Sequence, residues 1–175
     1  QIQVATDCII DEENYFSIIE KKTATLFEAC AALGMYSVDA EAEELLKVMQ
    51  LGRHLGIAFQ LRDDIFDYTM EAEVGKPVGN DLKEGKITLP LIYIYKQADC
   101  DQKERIKSLL ERVESDEKAI AELLRMAHQF GGVAYAQKRL EEELSKALDI
   151  LRSFPNSPAN QSLVLLAEYL GKRTY

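Results

Sequence analysis

Residues 59–68 read FQLRDDIFDY, and they place three aspartates, Asp63, Asp64 and Asp67, inside an otherwise apolar segment. At 100° per residue, an α-helix puts Gln60, Asp63 and Asp67 within a sector of roughly 60°, with Asp64 at its edge. Phe59, Ile65 and Phe66 are left for the other faces. Ionised carboxylates this close repel one another, and burying them unpaired is costly. A solvated acidic face is the simplest reading of such a ridge. The preceding GIAFQL, however, is too apolar for a face turned fully to water. The pattern therefore predicts a helix whose polar ridge meets something positive.

The same period extends outward in both directions. DEEN offers capping residues for YFSIIEKKTATLFEACAAL, which is expected to run as a helix to a Gly34 stop. Ser37 and Asp39 are expected to open the long helix that carries the aspartates to about residue 70. EAEVGKPVGNDLKEGKI, residues 71–87, is expected to be a loop, broken by Gly75, Pro77, Gly79 and Gly85. Further helices are expected from about Thr88, over 101–113, over 116–130 ending in Gly131-Gly132, and over 133–153. Ser157-Pro158 reads as N-cap and first turn of a last helix to about Leu170. No strand pattern competes, so the class is all-α.

Composition bounds the function. The 175 residues are 47% apolar, enough for a core, and the formal net charge of −9 argues against a nucleic-acid binder. Cys8, Cys30 and Cys100 show no metal-ligand spacing. They read as small core hydrophobes and as the reduced thiols of a cytoplasmic protein. No uncharged apolar run approaches the roughly 18 residues of a membrane span.

Hard cations fit the aspartate ridge, since Mg²⁺ takes oxygen ligands and bridges one or two carboxylates to phosphate. Cations for the phosphate half stand nearby in sequence: Lys76 and Lys86 in the glycine-rich segment, and Lys22-Thr23 in EKKTATLF. That segment is not a nucleotide P-loop. Five residues, not four, separate Gly79 from Gly85-Lys86, and Ile87 stands where Ser or Thr is required. DDIFDY also lacks the alternating ligands and central glycine of an EF-hand. The chemistry suggested is a phosphorylated substrate whose leaving group is held by Mg²⁺, with apolar helices around a greasy body.

FQLRDDIFDY followed by GKPVGNDLKEGKITLPLIY resembles the second aspartate-rich region of the trans-isoprenyl diphosphate synthases, and EKKTATLFEACAALG upstream resembles their Lys-Thr-Ala segment. The flap pattern is most similar to the medium- and long-chain, octaprenyl-like members. The resemblance implies a helical bundle of the isoprenoid synthase type, of which residues 1–175 would form the C-terminal portion of a single domain. The family's first aspartate-rich motif has no counterpart in this sequence, and QIQ resembles the tail of the helix joining the two halves. The portion by itself is expected to be inactive.

The implied reaction condenses isopentenyl diphosphate with an allylic diphosphate to give a long-chain trans-polyprenyl diphosphate. Asp63 would ligate Mg²⁺ directly, with Asp64 and Asp67 assisting. Lys22 and Lys76 would contact the allylic diphosphate, and Gln60 and Thr23 would line the reaction centre. Asp81 and Lys86 match the flap, and Arg173 resembles the family's terminal basic residue near the second diphosphate. Homodimers are the family norm, with no nucleic-acid partner and no transmembrane segment. The alternatives are a shorter-chain farnesyl or geranylgeranyl synthase, or a non-catalytic helical partner of a complete synthase. His54 and His128 read as packing, surface or helix-end residues, and Tyr93 and Tyr95 as core or interface.

Overall fold

The computed structural model describes residues 11–69 and 79–172. Every regular element among them is helical: α1 (Glu12–Ile19), a π-helical turn (Glu20–Ala24), α2 (Thr25–Tyr36), α3 (Ala42–Phe66), α4 (Asn80–Lys83), α5 (Leu89–Gln97), α6 (Cys100–Leu110), α7 (Glu117–Gln129), α8 (Gly132–Ser153) and α9 (Pro158–Lys172). None is long and apolar enough to cross a membrane. The described residues fall into two compact units, one of 11–15, 63–69 and 79–137, the other of 16–62 and 138–172.

In the first unit, Thr88 keeps extended backbone ahead of α5, and Pro90 sits in the first turn, where its missing N–H is harmless. Leu89, Leu91, Ile92 and Ile94 are buried. Asp99 and Gln102 close a reciprocal capping box at α6. The Asp116 side chain caps α7 by accepting from the Lys118 N–H. Gly131 then turns the chain with φ 78°, and Gly132 opens α8 against Pro90, where a Cβ would run into the Pro90 carbonyl oxygen. Tyr93 stacks on Tyr135 at 4.2 Å between ring centroids, and the Tyr135 hydroxyl donates to Glu12.

The second unit is built on Leu51, Ala147, Leu151 and Ala167, with Leu55, Leu148, Ile150 and Val164 packed around them. The Ser157 hydroxyl accepts from the Asn160 N–H and starts α9 as expected, and the helix continues to Lys172. His54 does more than pack: its Nδ1 lies 2.7 Å from Glu143 Oε2, while Lys146 donates to Glu143 Oε1 at 2.6 Å.

Several boundaries differ from expectation. Gly34 does not end its helix; α2 continues to Tyr36, and a Cβ added at Gly34 would meet nothing within 4 Å. Three turn residues, Ser37, Val38 and Asp39, follow the helix, with Asp39 in the left-handed region at φ 52°. There the Ala40 N–H reaches the Met35 carbonyl at 3.2 Å and the Asp39 N–H reaches Tyr36 at 3.3 Å. Asp tolerates that conformation, so it serves as the stop usually supplied by glycine. Asp39 therefore closes α2 instead of opening α3, which begins at Ala42 and ends at Phe66. Part of the expected 71–87 loop is the short helix α4, entered through Gly79 at φ 76°. Cys30 and Cys100 are exposed free thiols, not core residues, and Cys8 lies outside the described residues.

Candidate functional site

The three aspartates occupy three different environments. Asp63 is exposed and has no partner among the described residues. Asp64 is buried, 4% exposed, and its Oδ2 accepts a 2.6 Å hydrogen bond from the Tyr15 hydroxyl. Burial first, and then the charge of Asp64, hold the Tyr15 hydroxyl well above its ordinary range, so it remains a donor. Asp67 turns to the flap: its carboxylate accepts the N–H groups of Asn80 and Asp81 at 2.9 and 3.0 Å. Its carbonyl accepts from Gly79 at 3.0 Å. Burial, followed by the charge of Asp81, pushes the Asp67 carboxyl up, against the pull of those backbone donors.

The flap is tied further by Lys86, whose Nζ lies 3.1 Å from Asp81 and whose N–H donates to the Asp81 carbonyl at 2.8 Å. The hydrogen bond to Glu84, ahead of the bond to Asp81, raises the Lys86 pKa. Beneath it, buried Thr88 donates to the Tyr68 hydroxyl at 3.0 Å. His128 Nε2 lies 2.7 Å from the Tyr68 carbonyl, which can only accept, so that nitrogen carries the proton.

In the second unit, the Thr23 hydroxyl donates to Gln60 Oε1 at 2.8 Å, and Gln60 is 5% exposed. Thr23 lies in the π-helical turn, while neighbouring Lys22 is exposed. The turn arises where the Thr25 N–H bonds the Glu20 carbonyl five residues back, and the Thr25 hydroxyl adds a second bond to that oxygen at 3.0 Å. Such one-residue insertions concentrate at functional sites.

The structure thus turns Asp63 outward and pairs Thr23 with Gln60. Asp64 and Asp67, expected to assist a metal, are engaged by Tyr15 and by the N-terminus of α4. Lys86 is engaged by Asp81 and Glu84. Lys76 and Arg173 lie outside the described residues. Among the described residues, no three carboxylate, histidine or cysteine side chains gather closely enough to hold a metal ion. The donor set still suits Mg²⁺, which keeps several waters and uses one or two carboxylates with substrate phosphate.

Sequence reasoning passed over Tyr15 and Arg62. Tyr15 is 49 residues from Asp64, and nothing local marks it. Arg62 is 7% exposed and donates from Nε to the Leu170 carbonyl at 3.1 Å and from a terminal nitrogen to the Gly171 carbonyl. A cation between Leu61 and Asp63 in so apolar a stretch was its one visible signal.

The profile of the family described as Polyprenyl synthetase matches residues 1–127. The chain belongs to that family of prenyltransferases of isoprenoid biosynthesis. It is 36% identical over 174 residues to the octaprenyl diphosphate synthase of Escherichia coli, covering 99% of this chain and 54% of that protein. It is 32% identical over 167 residues to a short chain isoprenyl diphosphate synthase of Methanothermobacter thermautotrophicus, covering 95% and 51%. Relatives of different product length therefore match comparably well. The polyprenyl synthase of Caulobacter crescentus, solved with calcium and isoprenyl diphosphate, superposes with a TM-score of 0.87 at 28% identity, covering 98% of this chain and 52% of that one. The chain spans about half the length of the relatives it matches.

Proposed function

We propose that residues 1–175 carry the second aspartate-rich, Mg²⁺-dependent diphosphate half-site of a long-chain trans-polyprenyl diphosphate synthase. The observation that carries this reading is the division among the three aspartates: Asp63 alone turns outward a carboxylate with no partner among the described residues, in a chain of this family. The calcium and isoprenyl diphosphate of the Caulobacter crescentus protein support the same chemistry.

In the proposed reaction, the C–O bond of an allylic diphosphate breaks and the electron pair leaves with diphosphate. The double bond of isopentenyl diphosphate then forms the new C–C bond, and loss of a proton restores an alkene five carbons longer. Mg²⁺ would supply the charge neutralisation that makes diphosphate a leaving group. Asp63 would provide its direct protein oxygen. Asp64, held by Tyr15, and Asp67, holding α4, would support the site by fixing the helix end and the flap. Lys22 and Lys76 would bind the allylic diphosphate, and Lys86 the flap side. Thr23 and Gln60 would line the reaction centre with a fixed dipole pair, and Arg173 would meet the second diphosphate. The whole enzyme would work in the cytoplasm as a homodimer. The exposed Leu26, Leu33 and Tyr36 of α2 favour an apolar partner surface.

The engagement of Asp64 by Tyr15 and of Asp67 by α4 favours a second reading, a non-catalytic helical partner of a complete synthase. Titration calorimetry with inorganic pyrophosphate and Mg²⁺ separates the two. The half-site reading expects binding that requires Mg²⁺ and is lost in Asp63→Ala; no binding by the parent chain would leave the partner reading. With farnesyl diphosphate and labelled isopentenyl diphosphate, the 175-residue chain alone is expected to give no elongated product.

A further inference from the structure

Gly52, Gly56 and Gln60 recur every four residues on α3, so they share a stripe no more than about 80° wide. All three meet the segment around the π-helical turn. A Cβ on Gly56 would lie 2.5 Å from Ala24 Cα and 3.0 Å from Ala24 Cβ. A Cβ on Gly52 would lie 2.7 Å from the Phe27 carbonyl oxygen and 2.8 Å from Glu28 Cα. All but the Ala24 Cβ, which is itself fixed to the main chain, are backbone atoms, which cannot swing aside as a side-chain tip would. Ala24, the last residue of the π turn, is 1% exposed, and Thr23 beside it bonds Gln60. An inserted residue makes a helix bulge outward. Here the bulge falls where the facing helix has no side chain.

We propose that Gly56 is a positioning residue: its bare Cα receives the bulge at Ala24, fixes the π turn at residues 20–24, and so aims Thr23 at Gln60 while leaving Lys22 at the surface. This rests on the reading of Lys22, Thr23 and Gln60 as diphosphate and reaction-centre residues. Gly52 keeps the two backbones close one turn further on. The Thr25 hydroxyl bond to Glu20 decorates the turn but does not hold it, because it is exposed and made within one helix. A methyl at Gly56 would move the bulge along the helix, and with it the direction of Thr23.

The test compares Gly56→Ala, Thr25→Val and, as a control in open space, Gly34→Ala. Amide resonances and amide exchange across residues 20–28 report the turn, and calorimetry with inorganic pyrophosphate and Mg²⁺ reports the site. In Gly56→Ala the Thr23 to Thr25 resonances shift, Thr25 exchange quickens, and pyrophosphate affinity falls about tenfold or more, since small misplacements of positioning groups carry large effects. Gly34→Ala leaves all of these unchanged, and Thr25→Val leaves the Thr23 to Gln60 hydrogen bond and the pyrophosphate affinity unchanged. A folded Gly56→Ala with the turn intact overturns the proposal. So does a Thr25→Val variant in which Thr23 and Gln60 part, and that variant decides the matter even if Gly56→Ala does not fold. Absence of pyrophosphate binding in the parent chain counts against the half-site reading alone, because the resonances judge the turn independently.

Discussion

Asp63, Asp64 and Asp67 are the same side chain within five residues of one another, and their surroundings assign them different work. Removing the Tyr15 hydroxyl in Tyr15→Phe leaves a buried carboxylate short of a donor. The expected effect is a loss of about 1–3 kcal/mol in urea unfolding. Asp63→Asn, at an exposed position, is expected to leave stability within about 0.5 kcal/mol while abolishing Mg²⁺-dependent pyrophosphate binding. Glu143 gives a pH signature. Burial works to raise its carboxyl, but the hydrogen bonds from His54 and Lys146 outweigh it and hold the group down to about 2. A depressed folded-state pKa means that the stabilisation is present above the unfolded carboxyl range and is lost as pH falls. Glu143→Gln should therefore be less stable than the parent at neutral pH, with the gap closing between about pH 4.3 and about pH 2. Urea midpoints measured across that window check it.

At the scale of the element, the aspartate helix and the flap are joined by Asp67. Its carboxylate satisfies the Asn80 and Asp81 N–H groups, which α4 cannot bond internally. Asp67→Ala is expected to speed amide exchange at Asn80 and Asp81 strongly, and exchange in α5 little, because Leu89, Leu91 and Ile92 anchor α5 separately. Equal acceleration along both helices would show that the clasp is not local. Existence and order of α3 and of the helices from α5 to α9 were legible from period, caps and glycines, whereas α4 was read as loop. Asp99, Asp116 and Ser157 each act within three residues of where the chain needs them. Gly34 misled because glycine permits a left-handed stop without requiring one, and the chain takes that conformation at Asp39 instead. The π turn in EKKTA left no mark in the sequence, since the bare Cα it packs against is that of Gly56, 32 positions after Ala24.

At the scale of the whole molecule, α2 is rich in apolar residues yet has none buried. On α9, Leu165, Leu166 and Tyr169 are each 60% exposed or more. Surfaces of this kind favour association. The chain is expected to show an apparent mass that rises with concentration in sedimentation velocity, and Leu33→Glu with Leu166→Glu should return it towards the monomer. The sequence by itself determined an all-helical chain, its family, and the aspartates, lysines and amide proposed to carry the chemistry, because helix period, end caps and contiguous motifs are local along the chain. Only the tertiary structure decided that Asp63 faces water while Tyr15 occupies Asp64, that Asp67 clasps the flap, and that Thr23 meets Gln60. Burial and hydrogen-bond partners at those positions are set by residues 12 to 49 places away, a separation that no local pattern encodes.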